Sequence, residues 1–303
     1  GSDADQPHSL VTDADSNLII LGVTASNNFP TTAGAYDQSF NGGSSFTEDG
    51  ITYNNGTDIF VLKLDNTGAA LIGSTYLGGS SNDGFSLDGN LKYNYADHAR
   101  GEVVLDIGDE VLIASSTSSN NFPTTAGSYS QAAFGGYDGI VAKLSPNLTS
   151  LDWSTYIGGA GGDAAYSIRV DDINNKVFVC GGTTSSNLGV TAGVIGASYS
   201  GATDGFISKF DNTNGALNAM TYLGTNAYDQ SYILELDNFN DVYVVALGDS
   251  NPKKKSDWIQ GQIEKGYDNI LFLDDSPKNV SAVKKLKQKD TNIKMDARVV
   301  KYD

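Results

Sequence analysis

The sequence contains one cysteine, two histidines and no long apolar run. Cys180 cannot form an internal disulfide, and its apolar, strand-like surroundings predict a buried, inert thiol. Neither His8 nor His98 is accompanied by a nucleophile motif such as G-x-S-x-G, which disfavours a hydrolytic triad. No stretch approaches the roughly 18 apolar residues of a membrane span, so we expect no membrane insertion. The chain begins at Gly1 instead of methionine, and either a removed leader or an internal fragment would account for that.

Basic residues are scarce in most of the chain. Residues 1–247 hold 7 lysines and arginines against 27 aspartates and glutamates, a net of −20, whereas residues 248–303 hold 12 against 9, a net of +3. Of the 35 glycines, 32 precede residue 248. This shift predicts a domain boundary, or a fusion seam, near 246–251. The overall charge of −17 excludes the basic face that nucleic-acid binding requires.

Internal repetition is the strongest pattern that is present. The segment ASNNFPTTAGAYDQSF at 25–40 returns as SSNNFPTTAGSYSQAA at 118–133, and more loosely as SSNLGVTAGVIGAS at 185–198. A second block follows each copy, DIFVLKLDNTGAALIGSTYLGG at 58–79 and its equivalents at 138–159 and 204–225. Three copies in the same order indicate a repeat architecture.

Each repeat predicts four short strands, because β-branched and aromatic residues alternate between turns rich in Gly, Asn, Asp and Ser. A further segment, SYILELDNFNDVYVVALG, supplies two strands of a fourth unit. The expected strands of the three units are 9–12, 18–24, 58–64 and 70–76; 102–106, 111–116, 138–144 and 151–156; and 166–171, 176–183, 204–210 and 216–222.

The order NNFPTTAG, DIFVLKLD, STYLGG, D resembles the SBBP-type bacterial β-propeller repeat over about residues 8–247. The resemblance implies a mainly β fold of four-stranded blades at about 8–79, 80–159 and 160–225, with a partial blade at 226–247. It also implies a secreted or cell-surface scaffold, adhesion or binding module without shared catalytic residues. A complete propeller has about four to eight blades. We therefore expect irregular closure, a second chain or missing blades to complete the ring.

The last part of the chain, 248–303, has a different pattern. An amphipathic helix is predicted at 256–267, with Ser256 or Asp257 as its N-cap and with Trp258, Ile259 and Ile263 on one face. The apolar strand NILFLDD follows, and then a helix over 277–289 with three apolar residues on one side, Val280, Val283 and Leu286. An alternation of helices and strands is typical of an α/β segment.

This segment resembles the C-terminal half of a haloacid-dehalogenase-superfamily phosphatase over about 242–302, in ALGDSNPKKKSDWI and LFLDDSPKN. The resemblance implies that Asp274 and Asp275 are Mg²⁺ carboxylates, and that Lys255 or Lys254 is the phosphate clamp. Phosphoryl transfer depends on such charge neutralisation, but it also requires a nucleophile. No upstream apolar strand ends in Asp-x-Asp-x-Thr or Asp-x-Asp-x-Val.

Two functions therefore remain open. The first is a non-catalytic module that carries an incomplete phosphatase-like tail and needs no cofactor. The alternative is a Mg²⁺-dependent phosphatase, or a fragment of one, whose nucleophile half is missing. In a third interpretation of the tail, Asp274 and Asp275 only end a strand and cap the next helix.

Two weaker candidates lie in the repeats. Asp13, Asp15 and Asn17 have the alternate spacing that opens a calcium loop, although Leu18 replaces the glycine of an EF-hand, so the alternatives are a looser Ca²⁺ site and a simple Asx turn. The sixteen tyrosines either line a glycan-binding or protein-binding face or fill the blades and their interfaces.

Overall fold

The fold of this chain is built mainly from antiparallel β-sheets. A computed structural model describes residues 1–94, 96–237, 242–247, 251–264, 269–274, 276–287 and 294–299. Both described α-helices and the parallel strand pair β17–β18 lie beyond residue 250.

The first sheet contains four strands in the order β1-β2-β5-β6, all antiparallel. Asp, Asn and Gly turns join the strands, and the insert between β2 and β5 forms a separate hairpin. The strands are β1 (Asp5–Thr12), β2 (Leu18–Thr24), β3 (Phe46–Glu48), β4 (Ile51–Tyr53), β5 (Asp58–Leu64) and β6 (Leu71–Leu77).

The second and third sheets repeat this arrangement, in the orders β7-β8-β9-β10 and β11-β12-β13-β14. A short 3-10 helix, Asp97–Ala99, lies in the insert before β7. The strands are β7 (Glu102–Leu105), β8 (Val111–Thr117), β9 (Asp138–Leu144), β10 (Leu151–Ile157), β11 (Asp163–Asp171), β12 (Lys176–Thr183), β13 (Asp204–Asp211) and β14 (Leu217–Leu223).

A two-stranded antiparallel pair follows the third sheet, and an α/β segment follows that pair. Neither described helix is long and apolar enough to cross a membrane. The elements are β15 (Ser231–Asp237), β16 (Val242–Leu247), α1 (Pro252–Glu264), β17 (Asn269–Asp274), α2 (Pro277–Lys287) and β18 (Lys294–Val299), where β17 and β18 are parallel.

The prediction of three four-stranded units followed by two strands is confirmed for the sheets. The inserts lie between the sheet strands, in loops, in the β3–β4 hairpin and in the short 3-10 helix before β7, as expected from their differing lengths. That the sheets are propeller blades stays a prediction, as does the domain boundary near 246–251, part of which lies outside the described residues.

The predicted start of the first tail helix is wrong. The helix begins at Pro252, and Asn251 is its cap, because the Asn251 Oδ1 accepts a hydrogen bond from the Lys253 N–H at 3.0 Å. Proline is well suited to the first helical position, where its missing N–H has no partner to lose. Ser256 and Asp257 therefore lie inside the helix.

The first strands of consecutive units are joined by one repeated hydrogen bond. In each case a backbone N–H of the later strand donates to a side chain of the earlier one, so β1, β7, β11 and β15 lie in sequence beside one another. The bonds are Val103 N–H to Ser9 Oγ (3.2 Å), Ile168 N–H to Glu102 Oε2 (2.9 Å) and Leu234 N–H to Ser167 Oγ (3.0 Å).

Apolar side chains fill the spaces between successive sheets. One cluster, which includes Ile19 and Ile59 of the first sheet and Ile113 and Ile140 of the second, lies between those two sheets. A second cluster lies between the second and third sheets and contains Trp153, whose Nε1 donates to the Asn212 carbonyl at 2.8 Å. The tail has its own cluster, formed by the predicted faces of both helices, with Ile259, Val280, Val283 and Leu286 buried and Trp258 and Ile263 packed against them.

We expect Ile113→Ala to lower the free energy of unfolding by about 2–5 kcal/mol, because Ile113 is fully buried between two sheets and alanine leaves a cavity there. Urea unfolding monitored by tryptophan fluorescence measures this change. The control is Ile173→Ala in the β11–β12 turn, where the side chain is 88% exposed, and it should change stability by about 0.5 kcal/mol or less. Equal effects at the two positions would contradict the assignment of Ile113 to an inter-sheet core.

Candidate functional site

The second and third sheets each contain a buried aspartate that accepts three hydrogen bonds. Asp83 accepts them from the Thr117 hydroxyl, the Ser119 hydroxyl (3.0 Å) and the Gly79 N–H (2.7 Å). The equivalent donors to Asp163 are the Thr183 hydroxyl, the Ser185 hydroxyl (2.7 Å) and the Gly159 N–H (2.8 Å). We call each such set a carboxylate clamp. It ties the loop that leaves one sheet to the end of the second strand of the next sheet.

The local sequence explains why the clamp forms. A threonine ends the second strand, and the N–H of the serine two residues later donates to the threonine hydroxyl, at 2.8 Å for Ser119 and Thr117. This turn directs both hydroxyls towards the aspartate. The first sheet has a related arrangement, in which the Thr24 hydroxyl donates to Asp5 at 2.5 Å and the Ser26 hydroxyl accepts from the Asp3 N–H at 2.8 Å.

A second buried aspartate lies beside each clamp, at the start of the third strand of the preceding sheet. Asp58 accepts the N–H groups of Asn41 (2.7 Å) and Gly42 (2.9 Å). A side chain on Gly78 would collide with the carboxyls of both Asp58 and Asp83, so the two groups converge on one point. The same convergence occurs over Gly158, between Asp138 and Asp163.

These aspartate pairs are absent from the sites predicted from the sequence, although the sequence contains a signal for them. The members of each pair are 25 residues apart in all three repeats, even where the total repeat length differs. The pairs are Asp58 and Asp83, Asp138 and Asp163, and Asp204 and Asp229.

Burial raises the pKa of these carboxyls well above 3.8. It raises the pKa of Asp58 to about 7 and that of Asp83 to about 8, and the charge of Asp58 adds to the rise at Asp83. Burial likewise raises the pKa values of Asp138, Asp163 and Asp204 to about 6. None of the ion pairs among the described residues includes these five carboxyls. A pair of buried carboxyls without a cation is stabilised when one of them holds a proton.

The geometry of the pairs is structural and not that of an accessible acid and base. Asp58, Asp83, Asp163 and Asp204 are fully buried, and Asp138 is 1% exposed. A substrate could reach them only if adjacent sheets separated. Their hydrogen bonds instead fix the loops at one end of the sheets.

Three equivalent tyrosines support the same loops. The Tyr156 hydroxyl accepts the Phe122 N–H at 2.7 Å and donates to the Ser119 carbonyl at 2.8 Å. Tyr76 and Tyr222 make the equivalent pairs of bonds, to Phe29 and Ser26 and to Leu188 and Ser185. The contacts of these three tyrosines are internal. They fit the structural role that the sequence offered, in which tyrosines fill the sheets and their interfaces.

A second group of tyrosines lies where the insert before β7 meets the start of β15. Tyr93 is 69% exposed, and its ring centroid lies 4.7 Å from that of Tyr228. The Arg100 guanidinium lies 4.6 Å from the ring centroid of Tyr232, whose hydroxyl donates to Asp97 at 3.1 Å. This tyrosine patch, Tyr93, Tyr228, Tyr232, Asp97 and Arg100, combines an exposed ring with polar groups.

In the tail, Asp274 and Lys255 are in contact. The Lys255 Nζ lies 2.7 Å from Asp274 Oδ2, while Oδ1 accepts the Ser276 N–H (2.8 Å) and the Asn279 side-chain amide (2.9 Å). Burial acts to raise the pKa of Asp274, but Lys255 and the other donors outweigh it, so the pKa lies below its usual value. Lys254 is exposed on α1, and Asp275 lies outside the described residues.

These contacts do not distinguish the alternatives for the tail. The ion pair joins two residues that the phosphatase resemblance assigns to one site. The bonds to Ser276 and Asn279 equally fit a carboxylate that ends β17 and fixes the turn into α2. The magnesium assignment therefore stays a prediction.

The predicted calcium turn is arranged around Asp13. Its carboxylate accepts the N–H groups of Asp15 (3.0 Å) and Asn17 (2.7 Å), and the Lys63 Nζ lies 2.7 Å from Oδ2. Burial acts to raise the pKa of Asp13, but Lys63 and Asn17 lower it to about 2. Among the described residues, no group of three or more His, Cys, Asp or Glu is placed to hold a metal ion. The contacts are those of an Asx turn with a lysine counter-charge, and the Ca²⁺ site stays a prediction.

Cys180 is fully buried, as predicted, and burial raises the pKa of its thiol. His8 and His98 both contact the Phe85 ring, His8 edge-on with ring centroids 6.0 Å apart and His98 stacked at 5.5 Å. Burial lowers the pKa of His8 to about 4, so it is neutral at physiological pH. His8 of β1 and His98 of the 3-10 helix before β7 therefore pack against the same aromatic ring.

Comparisons with known proteins add little to this description. No family model matches the chain, and no curated protein does. A crystal structure of a protein of unknown function from Dyadobacter fermentans is similar with a TM-score of 0.40 and 11% identity, over 82% of this chain and 58% of that one. The quinohemoprotein alcohol dehydrogenase from Comamonas testosteroni has a TM-score of 0.28 and 11% identity, over 63% and 32%. This chain thus spans less than two thirds of either structure.

The free energy of unfolding should have its maximum at about pH 4, close to the ordinary carboxyl pKa of 3.8. Above pH 4 the folded chain retains protons on Asp58, Asp83 and their equivalents that the unfolded chain releases, so stability falls as the pH rises towards 8. Each such proton changes the free energy by about 1.4 kcal/mol per pH unit. Below pH 4 stability falls again, because Asp13 loses its ion pair with Lys63 as the pH approaches 2.

Urea unfolding at a series of pH values measures this profile. An Asp83→Asn variant, which carries no titratable carboxyl at this position, should show a shallower decrease between pH 6 and pH 8. Stability that rises steadily from pH 4 to pH 8 would contradict the protonated pairs.

Proposed function

We propose that this chain is a non-catalytic scaffold or binding module of the β-propeller type. Its three four-stranded sheets are the blades, and β15 and β16 belong to a fourth. The repeated hydrogen bond between successive first strands supports this arrangement, because it sets β1, β7, β11 and β15 side by side in chain order. Radial repetition of four-stranded sheets is the defining feature of a propeller.

The observation that carries this proposal is that the repeated polar residues bond to one another. The aspartate, threonine and serine of each clamp, and the equivalent tyrosines, all engage in hydrogen bonds within or between the sheets. A structural role therefore accounts for the repeated polar residues without a catalytic one. The resemblance to SBBP-type repeats supports placing the module on a secreted or cell-surface protein.

The tyrosine patch is the surface that we propose for a protein or glycan ligand. Aromatic rings supply rigid contact area at a low cost in conformational entropy, and Tyr93 presents such a ring to solvent. Arg100 and Asp97 lie next to the rings and could orient a polar ligand.

A second candidate function is a Mg²⁺-dependent phosphatase fragment, with which the contact between Lys255 and Asp274 is compatible. The described residues do not by themselves fit a magnesium site. Mg²⁺ is usually held by one or two carboxylates with open coordination to water and phosphate. Both oxygens of Asp274 already accept hydrogen bonds, so no catalytic step can be derived from this chain.

Purified protein should not hydrolyse p-nitrophenyl phosphate in the presence of Mg²⁺ above the rate of buffer alone, because the sequence before Asp274 contains no apolar run that ends in the nucleophile motif Asp-x-Asp-x-Thr or Asp-x-Asp-x-Val. Release of p-nitrophenolate measures this. Turnover that is lost in Asp274→Asn and kept in Asp257→Asn, a change at an exposed residue of α1, would overturn the non-catalytic proposal and establish the phosphatase.

A further inference from the structure

A buried lysine, aspartate and asparagine meet where the second sheet packs against the third. Lys143 lies in β9, Asp106 lies in the turn between β7 and β8, and Asn212 follows β13. We call these three residues the Lys143 cluster, and they are 7%, 8% and 4% exposed. The lysine and the asparagine are 69 residues apart and belong to different sheets, so the contact exists only in the folded chain.

Each member of the Lys143 cluster is bonded to the other two. The Lys143 Nζ lies 2.8 Å from Asp106 Oδ2 and donates to the side-chain oxygen of Asn212, Oδ1, at 3.2 Å. The side-chain nitrogen of Asn212, Nδ2, donates to the same Asp106 oxygen at 3.3 Å. This orientation of the amide satisfies both partners, since a lysine can only donate and a carboxylate can only accept. One carboxylate oxygen therefore lies beside both nitrogens.

The backbone of Asn212 is also fixed. Its carbonyl accepts the Trp153 Nε1–H at 2.8 Å, and its N–H donates to the Asn175 carbonyl at 3.1 Å. Trp153 is 1% exposed and belongs to the apolar cluster between the second and third sheets. The asparagine amide is thus held against the lysine in a site that excludes most water. Groups held in this way react with a much smaller entropic barrier than free groups do.

We propose that Lys143 and Asn212 form an intramolecular isopeptide bond, with Asp106 as the proton carrier. Asp106 Oδ2 takes a proton from Nζ, and the neutral amine then attacks Cγ of Asn212, which is one bond of about 1.2 Å from Oδ1. The bond between Nζ and Cγ forms and the bond between Cγ and Nδ2 breaks. Asp106 gives its proton to Nδ2, which leaves as ammonia, and takes the second proton that Nζ loses. The step needs no oxidant, reductant or cofactor.

The equivalent junction between the first and second sheets lacks one of the three groups. Lys63 lies at the position of Lys143, pairs with Asp13 at 2.7 Å and donates to the Pro146 carbonyl at 3.3 Å. Pro146 occupies the position that Asn212 has in the third sheet. This junction therefore has the lysine and the carboxylate but no side-chain amide at that position, and it provides an internal control.

A second carboxylate near the cluster has a different role. Glu110 also forms an ion pair with the Lys143 Nζ, but its side chain is 36% exposed. Burial acts to lower the pKa of Lys143, but Asp106 and Glu110 outweigh it and raise the pKa above its ordinary value. The lysine is therefore charged before the reaction, and Glu110 stabilises this unreactive form. Glu110→Gln should keep the isopeptide bond, whereas Asp106→Asn should not form it at a comparable rate.

Mass spectrometry of the purified full chain tests the proposal. Wild-type protein should be about 17 Da lighter than its sequence, which is the mass of one ammonia, and a tryptic digest should contain the fragment with Lys143 joined to the fragment with Asn212. Asn212→Ala should have the full mass of its sequence and should still fold, since Lys143 keeps both ion pairs. Asp106→Asn should form the bond at least about 100-fold more slowly, because a positioned acid–base group contributes that much.

Lys63→Arg is the matched control and should keep the joined fragment. Succinimide formation, as at Asn41 before Gly42, also releases ammonia, but it leaves Lys143 cleavable by trypsin. A wild type whose digest contains no joined fragment, even after incubation for several days, would overturn the proposal. A joined fragment that is as abundant in Asp106→Asn as in the wild type would overturn the role of Asp106.

Discussion

The structure depends on buried carboxyl groups that accept hydrogen bonds from donors in two successive sheets. A carboxyl without a cation is unstable in an apolar interior unless donors surround it or a proton neutralises it. Each clamp meets this condition with two hydroxyls and one N–H. Because these donors come from the loop after one sheet and from the second strand of the next, the aspartate cannot be satisfied unless both elements are in place. The hydrogen bonds of a clamp can therefore form only when the two successive sheets are packed together.

The clamp also explains why the repeats tolerate inserts. The insert before β7 lengthens the path from Asp83 to Thr117, but it leaves the bond between them intact. The spacing from Asp58 to Asp83 does not vary, because that segment consists of strands β5 and β6, their turn, and the loop that brings the two carboxyls together. The inserts thus differ in length at places where they do not alter the buried hydrogen bonds of the clamps.

Much of the fold follows from the sequence, and the site follows less well. The strands at 18–24, 58–64, 138–144 and 176–183 were predicted with the observed bounds, because β-branched runs end at clear turn residues. The first tail helix was predicted to start at residue 256, four residues too late. Three lysines follow Pro252 and give no apolar periodicity there, although Asn251 caps the helix. The aspartate pairs were missed because burial of an acidic residue is not visible in the sequence; only their constant spacing gave a signal. The predicted Asp275 ligand lies outside the described residues, and the Lys255 assignment stays a prediction.

The most direct test of this account is the stability of an Asp163→Ala variant. Alanine removes the acceptor and leaves the Gly159 N–H and the hydroxyls of Thr183 and Ser185 without their partner. The account predicts that the free energy of unfolding falls by about 3 kcal/mol or more, since each buried unsatisfied group costs about 1–3 kcal/mol. Asp152→Ala, at an exposed position of β10, is the control. A loss at Asp163 no greater than that of the control would show that the clamp does not hold the sheets together.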